Sequence, residues 1–397
     1  MTLPLRKTER TAGADIRTPS AGEATAVTVT EVAEAADFKQ FVNLPWELYR
    51  GSPYWVPPLL SEIVPALKGQ NNPLFDKGPH ALLLARRQGV ASGRLLVGIN
   101  ATLNEEKGFR EGYLALFESV DDYAVARVLF DAAAAWLKKH GMDWMRGPLP
   151  HNDDDYRGLL IQGFDSPPTI MNQYHPPFYQ EFFDQYGFEK YLDYYAYHVD
   201  LEKGIPDRLN RVVDYAQKRY GYGVRALDLK NLESEMADVK KIIDVAMPAE
   251  WPDFTVPTLD EVRSIGLKLR PVAVADLCYI ARSEAGEPIG FSVALPDYNV
   301  ALKHLNGRLF PWGWLKFLWY RRQIRSARLF VLFVVPAWRQ RGVTAAIYLA
   351  SMRAAARMGY THAEGSTILE TNGPMRRDVE RMGAVHDKTY RIYQKRL

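Results

Sequence analysis

The C-terminal half of the chain has hydrophobic patterns, separated by turn residues, that predict a regular series of elements. Apolar alternation predicts strands at 223–229, 277–283, 287–295, 328–335, 361–369 and 389–395. Apolar residues at helical spacing predict helices at 232–247, 259–272, 344–359 and 374–383. Gly359 and Gly383 close the last two helices, since glycine is favoured just after a helix end. The predicted order is a strand, two helices, three strands, and then helix, strand, helix, strand.

The N-terminal half repeats this order in outline. It has predicted strands at 26–32, 80–101 (a pair), 112–120, 142–149 and 193–201, and helices at 37–51, 123–141 and 177–187. An internal duplication joined near 201–208 is the simplest explanation. We therefore predict an α/β (α+β) fold with two domains in tandem, 26–203 and 204–397, each a mixed central sheet flanked by helices. Residues 1–25 are predicted to be a flexible leader.

Composition limits the classes of protein that fit. A chain of 397 residues with 47% hydrophobic and 24% charged residues can bury two cores and is not of disordered type. Cys278 is the only cysteine, which excludes an intrachain disulfide and a cysteine-built metal site. The His, Asp and Glu residues lack metal-site spacing, so no metal is expected. The N-terminal stretch lacks a secretory apolar core and no window suits a spanning helix, so a cytoplasmic location is expected.

The insertion at 300–327 is aromatic and basic, and contains LNGRLFPWGWLKFLWYRRQIRS. Seven basic and no acidic residues lie between Lys303 and Arg328, although the net charge of the whole chain is only +3. An aromatic helix beside cations suits a lipid headgroup boundary, which makes Trp312, Trp314, Phe317 and Trp319 candidate membrane or substrate contacts. Alternatively, these side chains pack between the two domains. Nucleic-acid binding is disfavoured because the rest of the chain is slightly acidic.

The stretch FVVPAWRQRGVTAAIYL contains a candidate anion site. A buried strand ends at Pro336, and the turn from Arg339 to Thr344 leads directly into a helix. Backbone amides at the positive end of a helix suit a phosphate or pyrophosphate, and Gly342 would permit close approach of the backbone. Arg339 or Arg341 could add charge. An ordinary basic loop that caps a helix is the alternative.

In this order of elements, V-V-P-x-W-R-x-x-G-x-T, Gly359-Tyr360 and Leu369-Glu-Thr-Asn372-x-x-Met375 resemble the GNAT acyltransferases over residues 223–397. The resemblance implies tandem GNAT-like domains and an acyl-CoA co-substrate. Its pyrophosphate would be held by the turn, its pantetheine arm would pair with the strand before the turn, and two further residues would lie beside the arm. By position, these residues are Arg339, Gln340, Arg341, Gly342, Val343 and Thr344 in the turn, Val334 and Val335 on the strand, and Asn372 and Met375 beside it.

The sequence departs from the family pattern at two positions. Thr344 stands where Gly or Ala is usual, and Val379 stands where many members carry a Tyr that reprotonates the thiolate. The N-terminal half has acids in place of the turn, in DDYAVARVLFD, which would repel a pyrophosphate. One acyl-CoA per chain follows, with the first domain available for the acceptor or for scaffolding.

Further phrases resemble a narrower group of bacterial tandem-GNAT proteins, of which the bacterial ceramide synthases look like members. These phrases are LPWELYRGSPYWVPPL (44–59), GLLIQGFDSPP (158–168) and YHPPFY (174–179). The resemblance implies transfer of an acyl group from long-chain acyl-CoA to a lipid amine such as a sphingoid base, at the inner face of the cytoplasmic membrane. Two alternatives remain open: acetylation of a small amine or peptide, and a non-catalytic acyl-CoA or lipid-binding module.

Amide formation from a thioester needs an oxyanion donor and a base. The resemblance implies a backbone N–H near Val335 as the donor. Glu370 and Glu364 have even spacing on one strand, and Glu370 is the first choice of base, with a solvated carboxylate paired to Arg376 or Arg377 as the alternative. His175 is a second candidate base, since imidazole titrates near neutrality, although a structural role is commoner. Asp154 and Asp155 could bind an ammonium headgroup or form a solvated acidic turn.

Overall fold

A computed structural model describes residues 26–70, 72–152, 157–248, 251 and 254–397. The N-terminal half contains β1 (Val27–Glu31), α1 (Ala35–Leu48), α2 (Leu60–Leu67), α3 (Pro73–Asp76), β2 (His80–Arg87), β3 (Val90–Gly98), α4 (Ala101–Lys107), β4 (Glu111–Ser119), α5 (Tyr123–Lys139), β5 (Trp144–Gly147), β6 (Leu159–Gln162), α6 (Phe178–Tyr186) and β7 (Glu189–Asp200).

The C-terminal half follows the same plan after an additional first helix. It contains α7 (Asp207–Tyr220), β8 (Tyr222–Ala226), α8 (Leu232–Ala246), α9 (Leu259–Leu269), β9 (Cys278–Ser283), β10 (Pro288–Pro296), α10 (Asn299–Leu302), α11 (Gly313–Tyr320), β11 (Ser326–Val334), α12 (Val343–Arg357), β12 (His362–Leu369), α13 (Gly373–Arg381) and β13 (Val385–Arg396). Each strand and helix that the hydrophobic pattern predicts is present, with ends that differ by a few residues. The mixed α/β class is confirmed.

The strands of the described residues form a single sheet. Their order is β1-β2-β3-β4-β5-β13-β7-β12-β11-β10-β9-β8, and β6 pairs with β13 outside this order. The pairs β4–β5 and β11–β12 are parallel, whereas the other neighbours are antiparallel. Two equivalent half-sheets therefore meet in the middle of one continuous sheet.

The two halves exchange their last strands. β7 belongs to the N-terminal half by sequence but pairs with β12, and β13 belongs to the C-terminal half but pairs with β5. β7 and β13 then pair with each other, from Val385 opposite His198 to Gln394 opposite Glu189. The predicted boundary between 203 and 204 lies in the turn between β7 and α7, and it stays a prediction, because the sheet itself crosses that boundary in both directions.

Helices cover both faces of the sheet. In the N-terminal half, α5 and α6 bury an aromatic core around Phe117, Phe130 and Phe183, and α1 and α2 cover the opposite face. In the C-terminal half, α12 lies on one face and α8 with α9 on the other. Helices α8 and α9 approach closely, since a Cβ at Gly266 of α9 would come 2.6 Å from the sulfur of Met236 on α8.

Local signals explain where several helices begin and end. α9 starts with a capping box in which Thr258 Oγ1 accepts from the Glu261 amide and Glu261 accepts from the Thr258 amide. α4 ends at Gly108, whose φ of 70° requires the left-handed conformation. Helix α7 was not predicted, because its sequence is mostly polar and its inner face buries only Val213 and Ala216 fully.

Candidate active site

A slot opens where β11 and β12 separate. The two strands pair only from Ser326 opposite His362 to Leu329 opposite Gly365. A register shift between β10 and β11 falls at Phe330, which bulges out of the ladder at the point where the gap begins. Beyond it, the residues of β11 up to Phe333 are only half-buried although the strand lies inside the sheet. The slot therefore exposes backbone and side chains of two parallel strands to a ligand.

The turn predicted to bind a pyrophosphate begins helix α12, directly after β11. Gly342 is the N-cap with φ 79°, and no side chain caps the helix. The amides of Gln340, Gly342, Val343 and Thr344 have no hydrogen-bond partner among the described residues. A helix start with bare amides carries partial positive charge, and this geometry fits an anionic group.

The residues packed around position 342 also leave no space for a side chain. A Cβ at this position would come 2.7 Å from the Cβ of Ala216 and 3.2 Å from the hydroxyl of Tyr222. Helix α7 and strand β8 therefore press against the turn from behind. The close approach and the positive φ together restrict the position to glycine.

The two arginines of the turn differ in what they contact. Arg339 donates to the carbonyl oxygens of Val334 and Ala246, at 3.1 and 2.8 Å, so its guanidinium fixes the shape of the turn. Arg341 is exposed and lies 5.0 Å from the ring of Trp338 and 5.7 Å from that of Tyr220. Of the two, Arg341 is the one that presents its charge to the surface beside the helix start.

The amide of Val335 itself does not face the slot. It donates to the carbonyl oxygen of Ile289 at 3.0 Å and so continues the β10–β11 ladder. Successive amides of a strand point to opposite edges, so an oxyanion donor near Val335 would be a neighbouring residue whose amide faces the slot. The donor near Val335 stays a prediction.

Asn372 and Met375 lie on the other side of the slot. The Asn372 side chain accepts from the Met375 amide at 3.3 Å and so begins α13. Val379, one turn further, is 5% exposed and packs in an apolar cluster with Tyr348 of α12. The position thus contains no hydroxyl, as the sequence predicts.

Tyr348 is a polar residue that the sequence analysis did not single out. Its hydroxyl is buried without a hydrogen-bond partner among the described residues, and its side chain borders the slot together with Leu329 and Gly365. Burial raises the pKa of Tyr348, with a smaller contribution from Asp378, and keeps the phenol neutral. A neutral, unpaired O–H donor therefore lies beside the space that a thioester would occupy.

The slot opens into a cavity of about 580 Å³ between the two halves. Helices α8 and α9 form its roof, β11 and β12 line one end, and residues of α3, α4 and β4 line the other. Most of its surface is apolar, with Met236, Val239, Trp251 and Phe254 among the lining residues. Both halves therefore build a single binding space of the size that proteins use for small-molecule ligands.

The two candidate carboxylates lie in different surroundings. Glu370 pairs with Lys190 at 2.5 Å and accepts from the Asp193 amide at 3.1 Å, and it does not line the cavity. Glu364 is 6% exposed, and its Oε1 accepts from Thr169, Asn172 and Ser366. Glu370 therefore forms an ion pair, as in the alternative that the sequence left open, but its partner is Lys190.

A buried polar cluster surrounds Glu364. Arg328, which is fully buried, donates to the Ser366 hydroxyl at 2.8 Å and to the Ile170 carbonyl at 2.7 Å. Asp297 accepts from the Ile170 amide at 2.9 Å, and burial, together with the nearby Glu364, raises the pKa of Asp297 to about 7. Ser366 links the cluster to the cavity, because it lines the cavity and donates to Glu364.

His175 has a structural environment. It is 3% exposed, its Nδ1 accepts from the Leu160 amide at 3.2 Å, and it does not line the cavity. Burial lowers the pKa of His175 to about 3, so the ring is neutral at physiological pH. Asp154 and Asp155 lie outside the described residues, although the flanking Asn152 and Arg157 line the cavity.

The aromatic-basic insertion lies at the other end of β11 from the phosphate turn. Gly307 packs on Trp46, its carbonyl accepts from the Leu60 amide at 2.9 Å, and the base of the insertion is thus fixed to the N-terminal half. Helix α11 itself has no buried residue. Among the described residues, none from 298–325 lines the cavity.

The exposure of the aromatic side chains in the insertion tests the alternative that they pack between the two domains. Trp312, Trp314 and Trp319 are 70%, 43% and 63% exposed, and Phe310 is 73% exposed. Phe317 is half-buried and stacks on Tyr298 with ring centroids 5.7 Å apart. The tryptophans therefore do not pack between the two halves.

The described part of the chain lacks two kinds of feature. No group of three or more His, Cys, Asp or Glu residues there is arranged to hold a metal ion. None of the described helices combines the length and apolar character that crossing a membrane requires.

Comparison with known proteins identifies relatives of nearly full length. No family model matches the sequence. The chain is 33% identical over 378 residues to the "Bacterial ceramide synthase" of Caulobacter vibrioides (strain NA1000 / CB15N), covering 94% of this chain and 98% of that one. It is 32% identical over 368 residues to "Protein YghO" of Escherichia coli (strain K12), covering 91% and 93% of the two chains.

Solved structures share the fold at low sequence identity. A tandem GNAT protein from the clavulanic acid biosynthesis pathway superposes with a TM-score of 0.59 at 13% identity, covering 94% of this chain and 98% of the other. A GCN5-related glucosamine N-acetyltransferase region of a fungal multi-domain β-N-acetylglucosaminidase gives 0.58 at 15% identity, covering 94% and 38%. These likenesses establish the tandem GNAT fold, and the identity to curated relatives establishes more: the chain belongs to the family of tandem-GNAT N-acyltransferases that includes the bacterial ceramide synthase.

Proposed function

We propose that this N-acyltransferase transfers an acyl group from long-chain acyl-CoA to a long-chain amine lipid, with a sphingoid base as the leading acceptor. The observation that carries the proposal is the cavity of about 580 Å³, which is mostly apolar and leads out of the slot between β11 and β12. An acetyl group and a small polar amine would leave such a space largely empty. The name of the Caulobacter relative supports the same class of acceptor.

The donor would be held at the start of α12. The amides of Gln340, Gly342, Val343 and Thr344 would bind the pyrophosphate, with the Arg341 side chain adding charge and Arg339 holding the turn in shape. The pantetheine arm would lie along Val334 and Val335 and between β11 and α13, where Asn372 and Met375 line the cavity. This arrangement would place the thioester carbonyl in the slot.

The reaction forms an amide bond and breaks the carbon–sulfur bond of the thioester. The amine attacks in its neutral form, and its proton would pass through the Ser366 hydroxyl to Glu364, because Ser366 lines the cavity and donates to that carboxylate. The sulfur leaves with the electron pair, is stabilised by the Tyr348 O–H, and takes its proton from solvent. Glu370 remains a weaker candidate for the base, since Lys190 holds its carboxylate.

Thiol release separates this function from the alternatives. Purified protein would be incubated with palmitoyl-CoA or acetyl-CoA and with a sphingoid base or a small polar amine, and free thiol would be measured. Release only with the long-chain donor and the lipid amine is the expected result. Release with acetyl-CoA and the polar amine would replace the proposal by small-amine acetylation, and no release with any pair would indicate a binding module.

We further propose that helix α11 docks the protein on an anionic membrane surface, at the inner face of the cytoplasmic membrane. Exposed tryptophans suit the headgroup boundary, and the six exposed basic residues from Lys303 to Arg325, with no acidic residue among them, complement anionic lipid. The nine residues of β11 separate the insertion from the phosphate turn by about 26 Å, so a docked protein would keep its acyl-CoA turn away from the lipid surface.

Sedimentation with liposomes tests the membrane proposal. Replacing Trp312, Trp314 and Trp319 together with Ser should reduce binding to phosphatidylglycerol vesicles at least about tenfold, because the apolar contact is lost. Val90→Ser, at a position 64% exposed on the N-terminal half, is the control. Unchanged binding of the triple variant would contradict the proposal, and equal binding to neutral phosphatidylcholine vesicles would remove the role of the charge.

A further inference from the structure

The N-terminal half contributes one end of the cavity although its own phosphate turn is missing. We infer that this end, formed by Leu74 of α3, Leu103 of α4 and Tyr113 of β4, binds the far end of a hydrocarbon tail and limits its length. The inference rests on the proposed function, because it concerns the tail of that reaction's substrate. It assigns to the N-terminal half a direct role in choosing substrates by chain length.

The distance across the sheet fits a long tail. Strand β12, at the slot, and strand β4, at the far end, are separated by β7, β13 and β5. Four steps of about 4.8 Å place them about 19 Å apart. An extended alkyl chain advances about 1.3 Å per carbon along its zigzag of 1.5 Å bonds, so this span accommodates about 15 carbons.

The path between the two ends is apolar. Helices α8 and α9 cover it with Val239, Ile243, Val262 and Leu269, and Met171, in the N-terminal segment ahead of α6, also lines it. Each methylene transferred from water into such a space is worth about fourfold in affinity. The affinity for a tail in this path should therefore rise steeply with chain length until the tail meets the far wall.

The far end is closed by two polar contacts, one within the N-terminal half and one that joins the two halves. Asn104 donates to the backbone carbonyl of Glu111 at 2.8 Å, next to Leu103. Lys77, just after α3, pairs with Glu261 of α9 at 3.5 Å, and both residues line the cavity. A methylene pushed beyond the apolar wall would have to displace these contacts, which gives the cavity a defined end.

The tail has two sources in the proposed reaction, since both the acyl donor and the amine acceptor carry one. The experiment therefore uses two substrate series. One varies the acyl-CoA from 8 to about 20 carbons with a fixed amine, and the other varies the amine over the same lengths with a fixed acyl-CoA. The series whose length dependence shifts in a variant identifies which tail reaches Leu103.

Leu103→Trp fills the far end and Leu103→Ala enlarges it. For the tail that reaches it, Leu103→Trp should lower kcat/KM for the longest chains about 10- to 100-fold while changing it less than about twofold for the shortest. Leu103→Ala should move the optimum to longer chains by one or two carbons. Leu67→Ala is the control, because Leu67 is equally buried, on α2, and does not line the cavity.

The outcomes separate this inference from the proposed function. Wild-type turnover of a long-chain amine tests the function, whereas only the comparison between variants tests the role of Leu103. Thermal melting of each variant accounts for losses from unfolding, and Leu103→Ala retains the test if Leu103→Trp does not fold. A parallel loss at all chain lengths in both series, or the same profile in Leu67→Ala, overturns the inference.

Discussion

The two halves share one architecture but treat the start of the helix after their fourth strand in opposite ways. In the C-terminal half, Gly342 leaves the first amides of α12 bare. In the N-terminal half, Asp122 caps α5 by accepting from the Ala124 amide at 2.9 Å, and its carboxylate pairs with Arg87. A carboxylate from the chain itself thus occupies the place that a phosphate would need.

The gaps between the parallel strands also differ: the gap between β11 and β12 is open, whereas the gap between β4 and β5 is filled. Beyond their short parallel pairing, β11 and β12 separate and leave a gap. Beyond the pairing of β4 with β5, the Leu149 amide donates to the Leu114 carbonyl at 2.7 Å, and a Cβ at Gly147 would come 2.5 Å from that oxygen. The chain therefore fills the N-terminal slot. A duplicated fold retains its donor site only where the structure leaves amides and strand edges unsatisfied.

Of the substitutions that test this difference between the two halves, Gly342→Glu should have the largest effect on thiol release. It places an anion at the helix start and a side chain against Ala216, 2.7 Å from the new Cβ, so thiol release should fall about 1,000-fold or more. Gly359→Glu is a matched control, because Gly359 also has a positive φ, of 75°, but no atom within 4 Å of its Cβ. Activity retained by Gly342→Glu would refute the assignment of the turn.

Thr344→Asp would give α12 an acidic first turn like the acidic approach to α5. The KM for acyl-CoA should rise about 30-fold, whereas the helix should gain about 0.3–1 kcal/mol from an acid near its positive end. Thr344→Asn tests the same shape without the charge. The affinity for acyl-CoA should therefore fall while the melting temperature rises. A variant that loses both affinity and stability would indicate a distorted turn.

Tyr348→Phe removes a hydroxyl that α12 has and that α5 lacks. Six residues after its N-cap, α12 has Tyr348, whereas α5 has Val128 at the same count. Loss of a hydrogen bond to developing charge on sulfur should lower kcat about tenfold with little change in KM. The phenylalanine keeps the ring contacts, and Tyr393→Phe in the N-terminal core serves as the control. An unchanged kcat would leave Tyr348 with a packing role.

Asp297→Asn should have the smallest effect and should appear in the pH dependence of stability. Burial and the nearby Glu364 raise the pKa of Asp297 to about 7. Between about pH 4 and 7 the folded state holds a proton that the unfolded state has released, so the free energy of unfolding falls as pH rises. Relative to wild type, the variant should gain about 1–2 kcal/mol between pH 5.5 and pH 7 in chemical denaturation. Parallel curves would contradict a buried titrating Asp297.

Much of the fold was readable from hydrophobic periodicity, because half-buried strands and amphipathic helices have clear repeats. The bare turn at Gly342 was also predictable, since its glycine and its place after a buried strand are local signals. The exchange of β7 and β13 was not predictable, because the sequence of each strand does not specify its neighbour in the sheet.

The catalytic region was harder to predict for a related reason. Even spacing placed Glu364 and Glu370 on one face of a strand, but β12 shifts register after Gly365, and the two carboxylates end in separate surroundings. Tyr348 was not predicted as a site residue, because a tyrosine within an apolar helix has no local mark of function. Its proposed role depends on the strands above it, which only the tertiary structure brings together.

The exchanged strands also bear on how this protein is made. During synthesis the N-terminal half emerges first, but its β5 edge must wait for β13 before it finds its partner. Until then an unpaired strand edge is exposed to other nascent chains. The native strand pairing of each half thus needs the other half. We therefore expect the two halves to complete the sheet in one late step, which a chaperone would protect.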